Sequence, residues 1–222
     1  MVPILPFLIA LTLRTYAVFA EQAQSITIQS FPVKPDNAAQ KLADAMSAFK
    51  ASNSDKIESA FLGMISSDAG SVAEQIFLWN DLGYLDVTQP FLQFSSSPSK
   101  VNVSTATVNN KTSLYDALHA PLTETIIHEI APEVDVDDFA RTLNDISENI
   151  RSSPPNGYGS TSGFYEKEGK RYLVVVNGWG SPEAAENWLA NLDEATAAAF
   201  QKLLASLAGP PQPTFKHVVE IV

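Results

Sequence analysis

The sequence predicts an α+β protein made of two β-α-β-β-α-β repeats that close on each other as an internal pseudo-dimer. Three observations predict it. Strand and helix patterns follow the same order twice, with first strands beginning at Ser25 and Thr123, 98 residues apart. Each such unit forms a four-stranded antiparallel sheet with two helices on one face and an apolar face left bare. The 222 residues are 45% hydrophobic and 18% charged, enough apolar material for two units of about 100 residues to bury those bare faces.

Residues 1–20 carry an apolar run from Ile4 to Leu13, too short to cross a bilayer, followed by Val18 and Ala20 where a signal peptidase reads small side chains. They are expected to be a secretory signal peptide, with residues 21–118 and 119–222 as the two repeats. In the first repeat, residues 25–30 read as a strand, and Pro35-Asp36 start a helix carrying Leu42, Ala45, Met46 and Phe49 at helical spacing. Residues 56–67 and 72–80 form a hairpin. A short helix over 87–94 and a polar strand over 101–108 complete the unit.

The second repeat is written more clearly. Residues 123–130 are a β-branched run bounded by Pro121 and Pro132, hence a strand. Val136, Phe139, Leu143, Ile146 and Ile150 then recur at steps of three and four, an amphipathic helix with acidic residues in its first turn. Strands over 161–166 and 171–177 flank the turn Glu168-Gly169-Lys170, and the apolar second strand implies burial on both faces. Ser181 can cap the next helix, with Pro182 at its first position. That helix runs through Trp188, Leu192, Phe200 and Leu204 towards Gly209, with room for a break, before a last strand over 214–222.

Composition removes several function classes. Fourteen Lys and Arg against 25 Asp and Glu leave a charge of −11 spread along the chain, which argues against nucleic-acid or anionic-membrane partners. Without cysteine there is no disulfide, thiolate nucleophile or Cys-type zinc site, and three histidines leave little for a metal centre. No metal and no cofactor are expected. Gly-rich phosphate loops, Gly-x-Ser-x-Gly elbows and His-Glu-x-x-His are all missing from the sequence. Asn102-Val103-Ser104 and Asn110-Lys111-Thr112 are N-glycosylation acceptors if the chain enters the secretory pathway, as an acidic secreted protein would.

The element order over residues 25–222, with Gly178-Trp179-Gly180-Ser181-Pro182-Glu183-Ala184-Ala185, resembles the dimeric α+β barrel superfamily. The resemblance is to fungal-type two-repeat proteins similar to the antibiotic-biosynthesis-monooxygenase and stress-responsive barrel families. Their Gly-Trp-x-Ser-x-Glu-Ala-His segment joins the third strand to the second helix, and Ala185 stands where they carry the His. The first half keeps only Trp79-Asn80-Asp81. The resemblance implies ferredoxin-like repeats forming a pseudo-dimeric α+β barrel. It also implies a cofactor-independent monooxygenase-like or cyclase-like enzyme on a hydrophobic aromatic or polyketide-type small molecule, acting as a monomer or homodimer. The alternative is a non-catalytic secreted protein that binds a small molecule in the same barrel pocket.

Candidate site residues follow from strand alternation. His128 shares a face with Glu124, Ile126 and Ile130, and His217 shares one with Phe215, Val219 and Ile221; either could serve as a base near neutral pH. His119 falls in the connector and is expected in solvent. Asn177 and Trp179 end the third strand on one side, where Asn177 could donate to an oxyanion and Trp179 stack on a flat substrate. Tyr165, in the hairpin, offers a phenolic donor. The pocket itself is expected inside the barrel, between the two sheets.

Overall fold

A computed structural model describes residues 23–34, 38–67, 70–80, 85–153 and 156–222. The leader at 1–20 and the Pro35-Asp36 helix start lie outside them. The first repeat comprises β1 (Gln24–Pro32), α1 (Ala38–Ser52), β2 (Ile57–Ser67), β3 (Gly70–Trp79), α2 (Thr88–Phe91) and β4 (Asn102–Val108). A connecting helix, α3 (Lys111–Leu118), leads to β5 (Leu122–Glu129), α4 (Val136–Arg151), β6 (Gly157–Lys167) and β7 (Lys170–Trp179). Then come α5 (Pro182–Ala190), α6 (Glu194–Ala205), β8 (Thr214–Lys216) and β9 (Val218–Glu220).

The strands form one antiparallel sheet in the order β8-β5-β7-β6-β4-β1-β3-β2-β9. Each repeat contributes its strands in the spatial order fourth, first, third, second, so the chain is α+β with two ferredoxin-like units. Two seams join them. At one, Thr107 and Val108 of β4 pair with Phe164 and Gly163 of β6. At the other, the final strand divides at His217: β8 pairs with β5 of its own repeat, and β9 crosses to β2 of the first. The single strand expected over 214–222 is therefore two short ones, and this division nearly closes the barrel.

A glycine stands at each seam. A Cβ on Gly163 would lie 2.2 Å from the Thr107 carbonyl oxygen, and one on Gly63, a hundred residues earlier, 2.7 Å from the Lys216 side chain. The close approach at both positions requires a residue without a side chain. Lys216 then runs into the barrel wall fully buried, where Nζ lies 2.6 Å from Glu74 Oε1 and donates to Thr125 Oγ1 at 2.8 Å. Burial pushes the Lys216 ammonium below its ordinary pKa, opposed by the Glu74 carboxylate.

The two sheets bury their bare faces on each other, with Ile26, Ile28, Ile76 and Leu78 meeting Val174 and Val176. The connector, to which the sequence reading assigned no element, is the helix α3. Asn110 caps it by accepting from the Ser113 amide at 2.9 Å, and Leu114, Ala117 and Leu118 plug one end of the barrel. Gly159 and Gly178 let it lie on β6 and β7, since Cβ atoms there would meet Ser113 and Ala117 backbone at 2.3 and 2.6 Å. Apolar side chains thus fill the middle of the barrel, and the space left between the sheets, at its other end, is lined mainly by polar residues, which corrects the expectation of an apolar pocket there.

Candidate functional site

The large apolar cavity lies on the other side of the second sheet, between β5-β7-β6 and the helices α4, α5 and α6, and measures about 410 Å³. Strand alternation aims Glu124 and Ile126 of β5, Ser160 of β6 and Leu173, Val175, Asn177 and Trp179 of β7 into it. Leu143, Ile146 and Ile150 cover it from α4, whose start is fixed by Asp135 accepting from the amides of Asp137 and Asp138. The long helix expected after Ser181 breaks at Asn191 and is recapped by Asp193, giving α5 and α6. Trp188 and Leu189 of the first piece and Leu203 and Leu204 of the second form the far wall. Leu189 and Phe215 remain 50% and 38% exposed, so the rim is apolar as well.

One polar cluster sits in this apolar wall. Glu124, only 8% exposed, accepts at Oε2 from Asn177 Nδ2 at 2.8 Å and from Trp179 Nε1 at 2.9 Å. Ser160 donates its hydroxyl to Asn177 Oδ1 at 2.7 Å. The amide and indole thus orient the carboxylate through one oxygen, and Oε1 makes no hydrogen bond among the described residues. A buried carboxylate in an apolar chamber, with one oxygen held and one unengaged, can accept a hydrogen bond or a proton from a bound ligand.

The sequence-derived residues fall into three places. Asn177 and Trp179 belong to the cavity, deep in its wall, with their donors directed at Glu124. Tyr165 lies across the sheet at the barrel's open end, its hydroxyl 2.9 Å from Ser104 Oγ and its ring stacked on Tyr172. Burial raises the Tyr165 pKa, so it stays a protonated donor. His128 stands on the cavity face opposite Leu173, but it does not line the cavity, and its Nε2 is buried with no hydrogen-bond partner among the described residues. His217 is exposed at the β8–β9 crossover, with Nδ1 3.2 Å from the Pro121 carbonyl oxygen. The structure does not bring these two histidines to the cavity, and Ala185 is among the residues that line it.

His119 is exposed as expected and meets Glu220 at 3.2 Å. Asn102 is exposed at the start of β4, and Asn110 is engaged as the α3 cap. Among the described residues no group of three His, Asp or Glu side chains is placed to hold a metal ion. The residue that sequence reading passed over is Glu124. Its signal was present, a carboxylate within a β-branched strand on the His128 face, but its partners come from β7, fifty residues away in sequence.

No family model matches the chain, and no curated protein does. Solved structures do. An anthrone oxidase-like protein is 14% identical with a TM-score of 0.58, over 90% of this chain and 93% of that one. A protein from Fusobacterium nucleatum subsp. nucleatum named "putative monooxygenase" is 13% identical with a TM-score of 0.57, over 90% and 94%. One of the same description from Lactobacillus acidophilus is 10% identical with a TM-score of 0.55, over 90% and 95%. The chain shares the fold of these solved structures, a nearly closed α+β barrel with both halves on one polypeptide.

Proposed function

We propose that the second-repeat cavity binds a flat, hydrophobic small molecule with an acidic C–H or hydroxyl, and that Glu124 takes its proton in cofactor-independent monooxygenase-like or cyclase-like chemistry. The observation that carries this reading is the pairing of an apolar chamber with one oriented carboxylate. Apolar walls exclude water and favour a flat aromatic body. Deprotonation leaves an electron-rich enolate that is itself the reductant for O2, so no resident cofactor is required. For anthrone the balance is one anthrone and one O2 giving anthraquinone and one water. Asn177 and Trp179 act as positioning residues that hold Glu124, and Ser160 fixes the Asn177 amide.

The test uses the full-length protein with anthrone as probe. Trp179 and Trp188 both line the cavity, so binding should quench their fluorescence. Glu124→Gln should keep the fluorescence response and lose O2 consumption by about a hundredfold or more, the scale of a general base. Turnover unchanged in Glu124→Gln would overturn the assignment. One observation favours a second reading, a binding protein without turnover: Ala185 offers no acid where the family carries His. Quenching without O2 consumption by the unmutated protein would select it. The secretory reading of residues 1–20 and the sugar acceptors Asn102 and Asn110 belong to the same proposal, of a secreted protein without nucleic-acid or membrane partners. Intact mass of protein recovered from culture medium, beginning at Glu21, would support it.

A further inference from the structure

The two ends of the barrel differ. One is plugged by α3. At the other, between the β6–β7 turn and the first residues of β4, the interior opens as a cleft of about 430 Å³, separate from the cavity above. Its chemistry is the reverse of that cavity's. At its floor Glu74, 4% exposed, is neutralised by Lys216 and accepts from the Thr125 hydroxyl at 3.1 Å. At its rim Lys167 and Glu168 balance each other. Ser30, Asn102, Tyr172 and Thr214 line it and make no side-chain hydrogen bond among the described residues, while the Tyr165 and Tyr172 rings stack 5.0 Å apart in its wall.

A cleft with balanced charge, several unengaged donors and acceptors, and an aromatic wall matches a neutral ring that carries many hydroxyls. Hydroxyls would satisfy the idle polar groups, and the C–H face of the ring would lie against tyrosine. Asn102 is the acceptor of the Asn102-Val103-Ser104 triplet, is exposed, and lines the cleft. A sugar joined to its Nδ2 would begin at the rim. We infer that the open end of the barrel is a pyranose-binding cleft. The ring has two sources, a glycan carried on Asn102 or a free saccharide, and this assignment is independent of the chemistry proposed for the second-repeat cavity.

The experiment compares two forms of the full chain by NMR, one made without glycan in bacterial cytoplasm and one secreted from a glycosylating host. Both are titrated with N-acetylglucosamine and chitobiose. In the bare form the Thr125 and Thr214 amides should shift and saturate. Tyr172→Ala should weaken the effect about tenfold, and Thr214→Val, which keeps the wall intact, by a smaller factor. If the Asn102-glycosylated form no longer responds and its first sugar shows contacts to Tyr172, the occupant is the chain's own glycan. If both forms respond alike, it is a free saccharide. No shift in the bare form, together with no contact between an Asn102 glycan and Tyr172, would overturn the inference.

Discussion

The two repeats share a strand order and a tryptophan at the same register position, yet among the described residues the helix side of the first is filled by an aromatic cluster and that of the second is hollow. In the first, Phe77 of β3 stands opposite Thr27 and Ala60; in the second, Asn177 of β7 stands opposite Glu124 and Ser160. Phe77 stacks on Phe91 of α2 at 5.9 Å and meets Phe49 of α1 edge-on, filling the space that the second repeat leaves open. Trp79 donates to the Thr27 hydroxyl at 3.0 Å, and Trp179 donates to the Glu124 carboxylate. A few exchanges at matched positions therefore turn a structural core into a candidate site. Duplication permits this, because one copy can supply stability while the other carries a cavity and a buried charge that would weaken a lone unit.

The helices divide in the same way. Asp135, Ser181 and Asp193 cap α4, α5 and α6 with their side chains, whereas at α2 the N-cap residue Val87 makes no side-chain bond and Asp86 accepts from the Thr88 amide at 2.8 Å.

The strongest way to break this comparison is truncation. Phe77→Ala should cost about 3–5 kcal/mol in urea denaturation, because a filled core is left with a void. Leu204→Ala, at the already open cavity wall, should cost less than about 2 kcal/mol. Equal losses would mean that the second repeat is as tightly packed as the first. A sharper contrast lies in the paired tryptophans. Trp179→Phe removes a donor to a carboxylate and should cost about 2 kcal/mol, while Trp79→Phe removes a donor to a hydroxyl and should cost about 1 kcal/mol. Reversal of that order would show that Glu124 does not depend on Trp179. Ser181→Ala, which strips the cap of α5, should cost about 1 kcal/mol and loosen the rim at Leu189, read as faster amide exchange there.

The smallest effect concerns pH. Asp193 accepts from the Thr196 amide and hydroxyl, which hold its carboxyl below the usual carboxylate range. Its contribution is present above the unfolded carboxylate pKa and fades as pH falls through the lowered folded value. Asp193→Asn should therefore flatten the acid limb of the Tm profile. An unchanged profile would remove the cap from the account.

Much of this fold was legible in the sequence, for stated reasons. Proline-bounded β-branched runs marked β5, and threes-and-fours spacing marked α4. The run over 214–222 could not reveal that it serves two sheets, because an apolar strand does not specify its neighbour. The helix α3 was hidden in polar residues, although Asn110 three residues before Ser113 is a cap pattern. For the site, alternation found Asn177 and Trp179 but not their surroundings. Val174 and Val176 face the barrel core while Leu173 and Val175 face the cavity, so an all-apolar strand left its two sides indistinguishable. The role of Glu124 depends on the β5–β7 register, which no single strand reports.

The most direct test gives the second repeat the first repeat's solution. Anthrone titration monitored by tryptophan fluorescence, on the unmutated chain and on Asn177→Phe, asks whether the hollow made by that one exchange is where a ligand binds. Quenching in the unmutated chain that is lost in a folded Asn177→Phe, with Tm kept or raised, is the expected result. Equal quenching in both would place ligand binding elsewhere and contradict the account.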